Sequence, residues 1–217
     1  MNCMHGLDQT ELSNATRHVW EEAVAAAGPA SLLVAIGTRL SDSLGAKVTA
    51  EDVLQEVLIE AWKEHDRFEW RSVRAFRAWL LTLADRRIAD LRDHFDAKKR
   101  GGGGIGVRPN TDRSRLALVT EPRTSTTPSL IASQTEQAEA MRAAMRAVPQ
   151  EYRDIVHLRL FEELTCAEIG HRLGLGESAV RHRFRRGVDA YRRALAPLFS
   201  TLSVSATIPR SNSAPQE

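Results

Sequence analysis

The chain has 217 residues, 42% of them apolar and 27% charged, with a formal net charge of +2 at pH 7. That is enough apolar material for one globular domain or two small ones, but no stretch approaches the ~20 apolar residues of a membrane span. The two cysteines, Cys3 and Cys166, make neither a C-x-x-C pair nor a Cys/His metal spacing, and the N-terminal stretch lacks the basic-then-apolar pattern of a signal peptide.

A cytoplasmic protein without a membrane contact is therefore expected. Helical periodicity begins over 11–27 and is broken by Gly28-Pro29. A second helix is expected over 30–40, with Leu32, Leu33, Ile36 and Leu40 on one face. Thr49-x-x-Asp52 is a capping box that opens a third helix running to Lys63, with Val53, Leu54, Val57, Leu58, Ala61 and Trp62 as its apolar positions. A fourth spans 72–97, and its stripe is Phe76, Trp79, Leu80, Leu83, Ile88 and Leu91. Lys98-Lys99-Arg100 and the run Gly101-Gly102-Gly103-Gly104 end this block. From there to residue 134 the composition (Gly, Pro, Ser, Thr, Arg) is that of a linker. Helical patterning resumes over 135–198, and 199–217 reads as a polar, disordered tail. No β-alternation competes. The fold class expected is all-α: a four-helix N-terminal domain over 10–100 and a C-terminal helix-turn-helix domain over 135–198, joined by a flexible linker over 101–134.

The C-terminal block carries the clearest signal. Thr165-x-x-Glu168 is a second capping box, and Ala167, Ile169 and Leu173 form a short apolar face. Gly174-Leu175-Gly176 breaks the helix, and a new one starts at Glu177. Its core positions are Val180, Phe184, Val188, Tyr191 and Leu195, while Arg181, His182, Arg183, Arg185, Arg186, Arg192 and Arg193 make it cationic. A tight glycine turn followed by a basic helix is the geometry that lays a recognition helix in the major groove of DNA.

Three further constellations stand in the first block. Asp52, Gln55 and Glu56 share one face of the third helix, either as solvated surface or as an acidic docking patch. Around the third-to-fourth connection Phe68, Trp70, Phe76 and Trp79 interleave with Arg67, Arg71, Arg74 and Arg77. Such a surface either stacks single-stranded bases or plugs the core, and Phe76 and Trp79 fit the core stripe better. Arg74, Arg77, Arg86, Arg87 and Arg92 form a basic stripe diluted by Asp85, Asp90 and Asp93. No nucleophile elbow, phosphate loop or metalloprotease helix is present, so neither a catalytic residue, a metal nor a cofactor is expected.

Together these blocks resemble bacterial RNA polymerase sigma factors of the extracytoplasmic-function (ECF) group of the sigma-70 family. Ala50-Glu51-Asp52 with Gln55-Glu56 and Ala61-Trp62 is similar to one family segment, and Phe76-Arg77-Ala78-Trp79-Leu80 with Leu83-Ala84 to another. Val148-Pro149, Tyr152-Arg153 and Leu158-Arg159 match the start of the second family domain, and residues 162–187 its helix-turn-helix. The resemblance implies that Asp52, Gln55 and Glu56 dock on the β′ clamp helices of the polymerase core. It implies that Phe68, Trp70, Arg71, Arg74, Arg77, Arg86 and Arg87 meet the −10 element and help to melt it. It also implies that the second domain sits on the β flap and sets Ser178, Arg181, His182 and Arg185 in the −35 groove, with Arg183 and Arg186 on phosphates. Promoter DNA and polymerase core are the expected partners, and an anti-sigma factor is left open. Asp85-Arg86 stand where the family often has Arg-Asn, and Ala179 where it often has Thr. The rival expectation is a stand-alone helix-turn-helix regulator that binds an operator without polymerase.

Overall fold

The computed structural model describes residues 9–65, 68–99 and 128–205. Among them the helices are α1 (Gln9–Ala26), α2 (Pro29–Gly37), α3 (Asp42–Gly45), α4 (Ala50–Lys63), α5 (Val73–Lys99), α6 (Pro128–Ala147), α7 (Gln150–Leu160), α8 (Cys166–Leu173) and α9 (Glu177–Ser205), with no strand. The chain divides into two units, 1–135 and 136–217.

The first unit is built around α2. Pro29 starts this helix at a position where its missing N–H costs nothing, and Gly28 before it adopts a left-handed φ of 69°. Ala30, Leu32, Leu33, Val34, Ala35 and Ile36 are all buried, so α2 is apolar nearly all round and takes the centre. α4 and α5 pack against it and against each other, and α1 packs on α5. Val53, Val57 and Ala61 of α4 meet a floor of Phe76, Leu80, Leu83, Ala84 and Ile88 from α5. Each large side chain buried there contributes about 1.5–3 kcal/mol. Trp20 of α1 lies edge-on to Trp62 and to Phe76, at 5.4 and 5.5 Å between ring centroids.

α4 begins as its sequence requires. The Thr49 hydroxyl accepts from Asp52 N–H at 3.1 Å, and the Asp52 carboxylate accepts from Thr49 N–H at 3.0 Å. Between α2 and α4 the single turn α3 is pinned by buried Leu44, and Lys47 just after it lies 4.4 Å above the Phe95 ring. Periodicity carries no signal for a helix this short. α2 also stops at Gly37, leaving Leu40 outside it.

In the second unit α7 and α8 both pack on α9. α7 crosses α9 at Gly187, where an added Cβ would lie 2.5 Å from Val156 Cγ2 and 2.8 Å from Tyr152 Cβ. Ile155, Leu158, Ile169 and Val180 form the core of the helix-turn-helix, with Leu164, Cys166, Leu175 and Phe184 packed around it. On α8 the expected apolar face is corrected: Ile169 and Gly170 are buried, while Ala167 and Leu173 are exposed. Ala167 is two residues from Ile169 and so lies across the helix, and Leu173 sits at its C-terminal end. α6 begins at Pro128, inside the stretch read as linker, and α9 runs to Ser205, inside the stretch read as tail. Linker residues 101–127 and tail residues 206–217 lie outside the described residues.

Candidate functional site

In the second unit the site begins with a sharp turn. Thr165 and Glu168 cap α8 reciprocally, at 3.2 and 2.6 Å. Gly174 closes the helix in a left-handed conformation, φ 66°. Leu175 N–H then donates to Gly170 O at 2.8 Å, drawing the chain so close that a Cβ on Gly170 would lie 2.6 Å from the Leu175 carbonyl oxygen. Val180, fully buried, anchors the next helix. Ser178, Arg181, His182, Arg183, Arg185 and Arg186 all remain exposed on the first turns of α9. The turn therefore presents a cationic helix end over a fixed apolar hinge. Arg181 Nη2 lies 3.0 Å from the carboxylate of Glu177, one helical turn earlier.

A polar knot behind this turn has no sequence signature. The nearly buried Glu162 carboxylate receives Arg172 of α8 at 3.0 Å and approaches His157 Nε2 of α7 at 3.6 Å. Arg159 donates to Leu164 O at 2.9 Å, and Glu163 takes a left-handed φ of 56°. These groups fix the path from α7 into α8. They are joined by side-chain pairing across a turn, which periodicity passes over.

In the first unit, Asp52 and Gln55 are exposed and Glu56 is half-buried on α4. Asp52 is also half of the capping box, and Glu56 forms an ion pair with Arg87 Nε of α5. Next to them burial, with the neighbouring Glu64, raises the Glu60 carboxyl above the usual carboxylate range, while Arg86 and Arg87 oppose this.

Of the residues expected on the −10 side, Trp70 is exposed at 52%. Phe68 is half-buried, stacked on Trp79 at 4.6 Å and edge-on to Phe76 at 5.6 Å. Val19, Trp20 and Ala23 from α1, His65, Phe68 and Trp70 from the connection, and Phe76 and Trp79 from α5 line an open groove of about 380 Å³. Arg71, Arg74 and Arg86 are exposed, with Arg71 held to Glu69 at 2.7 Å. Arg77 requires a correction. It is 3% exposed, and its guanidinium donates to Ala27 O at the end of α1 and to Ser31 Oγ of α2 at 3.2 Å. A cation on the last carbonyls of a helix offsets the helix dipole, so Arg77 fastens the α1–α2 corner and is not offered at the surface as the other arginines are. Asp85, one of the departures from the family pattern, accepts from Arg39 Nε at 2.9 Å, and Arg39 in turn donates to Ala35 O at 2.7 Å.

Among the described residues no His, Cys, Asp or Glu group is arranged to hold a metal. Among them no single helix is long and apolar enough to cross a membrane. One bent pair, Arg17–Ala26 with Pro29–Gly37, passes by length and composition, and most of the second member is core.

Comparison with known proteins places these units in context. Residues 30–99 match the family model described as Sigma-70 region 2, and residues 144–193 that described as Sigma-70, region 4. The chain is 30% identical over 161 residues to ECF RNA polymerase sigma factor SigW of Bacillus subtilis, covering 71% of this chain and 80% of that protein. It is 29% identical over 154 residues to ECF RNA polymerase sigma factor SigL of Mycobacterium tuberculosis, covering 71% and 78%. It is 26% identical over 149 residues to ECF RNA polymerase sigma factor SigK of Mycolicibacterium vanbaalenii, covering 67% and 68%.

Proposed function

Because the chain belongs to the ECF sigma factors of the sigma-70 family, we propose that its two units divide promoter reading between them, α9 taking the −35 element and the α4–α5 unit the −10 element. As a sigma factor it associates with RNA polymerase and directs promoter-specific transcription initiation. The stand-alone operator-binding regulator is set aside on the same ground. Sigma factors are initiation factors and not enzymes.

The observation that carries the division is the exposed cationic start of α9, held rigid by the Gly170–Leu175 turn. Recognition helices of this kind meet base edges with their N-terminal residues. Ser178, Arg181, His182 and Arg185 are assigned to the −35 major groove, and Arg183 and Arg186 to phosphates. Asp52, Gln55 and Glu56 are assigned to the β′ clamp helices, and the second unit to the β flap. The groove beside Trp70 and Phe68 is assigned to an unstacked −10 base, with Arg71 and Arg74 close to it in the chain and Arg86 and Arg87, further along α5, assigned to the same element. Flipping a base costs a few kcal/mol, which stacking at ~1–3 kcal/mol per base largely offsets. An anti-sigma factor that covered one of these faces would block the contact assigned to it. The work is cytoplasmic, where polymerase meets the promoter.

Run-off transcription from a randomised promoter library, with bacterial core polymerase present and this protein added or omitted, tests the division. Transcripts that depend on the protein and share a −35/−10 pair are expected. Transcripts that share a −10 motif alone would remove α9 from promoter reading.

A further inference from the structure

We propose that Glu177 and Arg181 act as one unit that reads a single G·C base pair, Arg181 taking the guanine and Glu177 the amino group of its paired cytosine. This rests on the reading that α9 lies in the −35 groove, and it adds a specificity residue to that reading. Glu177 is the first residue of α9 and is exposed, as is Arg181. Their side chains meet, Glu177 Oε1 to Arg181 Nη2, at 3.0 Å.

A carboxylate at a DNA surface is disfavoured by the phosphates unless a base donor receives it. In the major groove the donors are the amino groups of cytosine and adenine, whereas guanine and thymine offer acceptors that repel it. The G·C edge presents the guanine N7 and O6 acceptors beside the cytosine N4 donor. O6 and N4 are themselves joined by a base-pair hydrogen bond, whose N···O length falls in the ordinary range of about 2.7–3.2 Å. The Glu177–Arg181 contact has the same length. Laid against the edge, the arginine donors face O6 and N7 while the carboxylate faces N4. An A·T pair lacks this order, since its adenine donor stands between two separated acceptors, N7 and the thymine O4, so no two acceptors lie side by side for the arginine, and its thymine adds a methyl group.

The bland role for Glu177 is to favour the helix dipole at the start of α9 and to form an exposed i,i+4 pair. The two roles differ in sign. Removing a merely structural acid lowers transcription from every promoter. Removing a base-reading acid lessens repulsion at the wrong base pairs, so poor promoters improve.

The test uses holoenzyme assembled from the full chain and core polymerase. Run-off transcription is measured on promoters carrying each of the four base pairs at each −35 position. Wild-type protein is expected to prefer G·C at one position by about tenfold or more. Glu177→Gln should cut that preference to about threefold by raising transcription at the three wrong pairs, with other positions unchanged. Glu177→Ala should do the same, which separates lost repulsion from a new glutamine contact. A uniform fall at all promoters, or an unchanged profile, overturns the proposal. Arg181→Ala distinguishes the underlying reading. If it abolishes the guanine preference while Glu177→Gln does not alter the profile, α9 still reads the −35 element and only the Glu177 assignment falls. If neither variant nor any −35 base pair changes transcription, the −35 reading itself falls.

Discussion

Two arginines on α5 show how little a residue's identity says about its task. Arg77 and Arg86 both lie on the cationic stripe, yet Arg77 is buried against Ala27 O and Ser31 Oγ while Arg86 is exposed. Sequence pattern separates apolar from polar positions, but it cannot show that a guanidinium has a helix end to cap fifty residues away. Arg77→Ala is expected to cost about 1–3 kcal/mol, since it strips a charged donor from buried acceptors. Arg86→Ala is expected to leave stability within about 0.5 kcal/mol and to lower promoter opening. Thermal unfolding and permanganate footprinting of the open complex check both. An Arg77→Ala chain of full stability that fails to open promoters would return Arg77 to the DNA. The left-handed Glu163 is a second residue that no pattern announces, because only the observed backbone shows that the α7–α8 turn needs it there.

At the scale of elements, the two helix starts were legible from four residues each. Thr49 with Asp52 and Thr165 with Glu168 form the reciprocal bonds their spacing implies. The end of α9 was not legible, because the stretch after Leu198 reads as a polar tail while the helix runs on to Ser205. The capping box also gives Asp52 two tasks. Asp52→Lys is expected to weaken polymerase binding and also to destabilise the first unit by about 1 kcal/mol through loss of the cap. Gln55→Lys should weaken binding without the stability loss. Core-polymerase affinity measured beside thermal unfolding separates the two effects. On α9, burial pushes the Tyr191 hydroxyl up to about 12, from an ordinary value near 10. The unfolded chain therefore ionises this group first. Its contribution is fully present below pH 10 and is lost as pH rises toward 12, at about 1.4 kcal/mol per unit at most. Tyr191→Phe should flatten that part of the stability–pH curve, followed by urea unfolding at fixed alkaline pH.

For the whole molecule, charge placement matters more than charge total. A net charge of +2 conceals a cationic α9 and an acidic face on α4. The all-α class and the helix-turn-helix were readable because their periodicity is local. Phe68, Trp70, Phe76 and Trp79 stood out as a cluster, but the part that α1 plays in their groove, the Glu162 knot and the Glu56–Arg87 pair did not, because each joins residues of separate elements. If Arg183 and Arg186 hold phosphates, replacing both with alanine should weaken promoter binding by the holoenzyme at every sequence. It should also reduce the slope of log affinity against log salt by about 2. A change confined to particular −35 sequences would mean that they read bases.

The Glu56–Arg87 pair joins the proposed docking face of α4 to the proposed −10 face of α5, with side chains 41% and 19% exposed. In that scheme each group is the other's rival for an outside partner. A basic group on polymerase that draws Glu56 away releases Arg87 toward phosphate, and a phosphate that draws Arg87 away releases Glu56. Thermodynamic reciprocity then requires that core polymerase raise the chain's affinity for −10 DNA by the same factor by which that DNA raises its affinity for core. The two partners would so cooperate through a single exchanged contact, and Glu56→Gln, which has no charge to exchange, would bind each partner with little regard for the other.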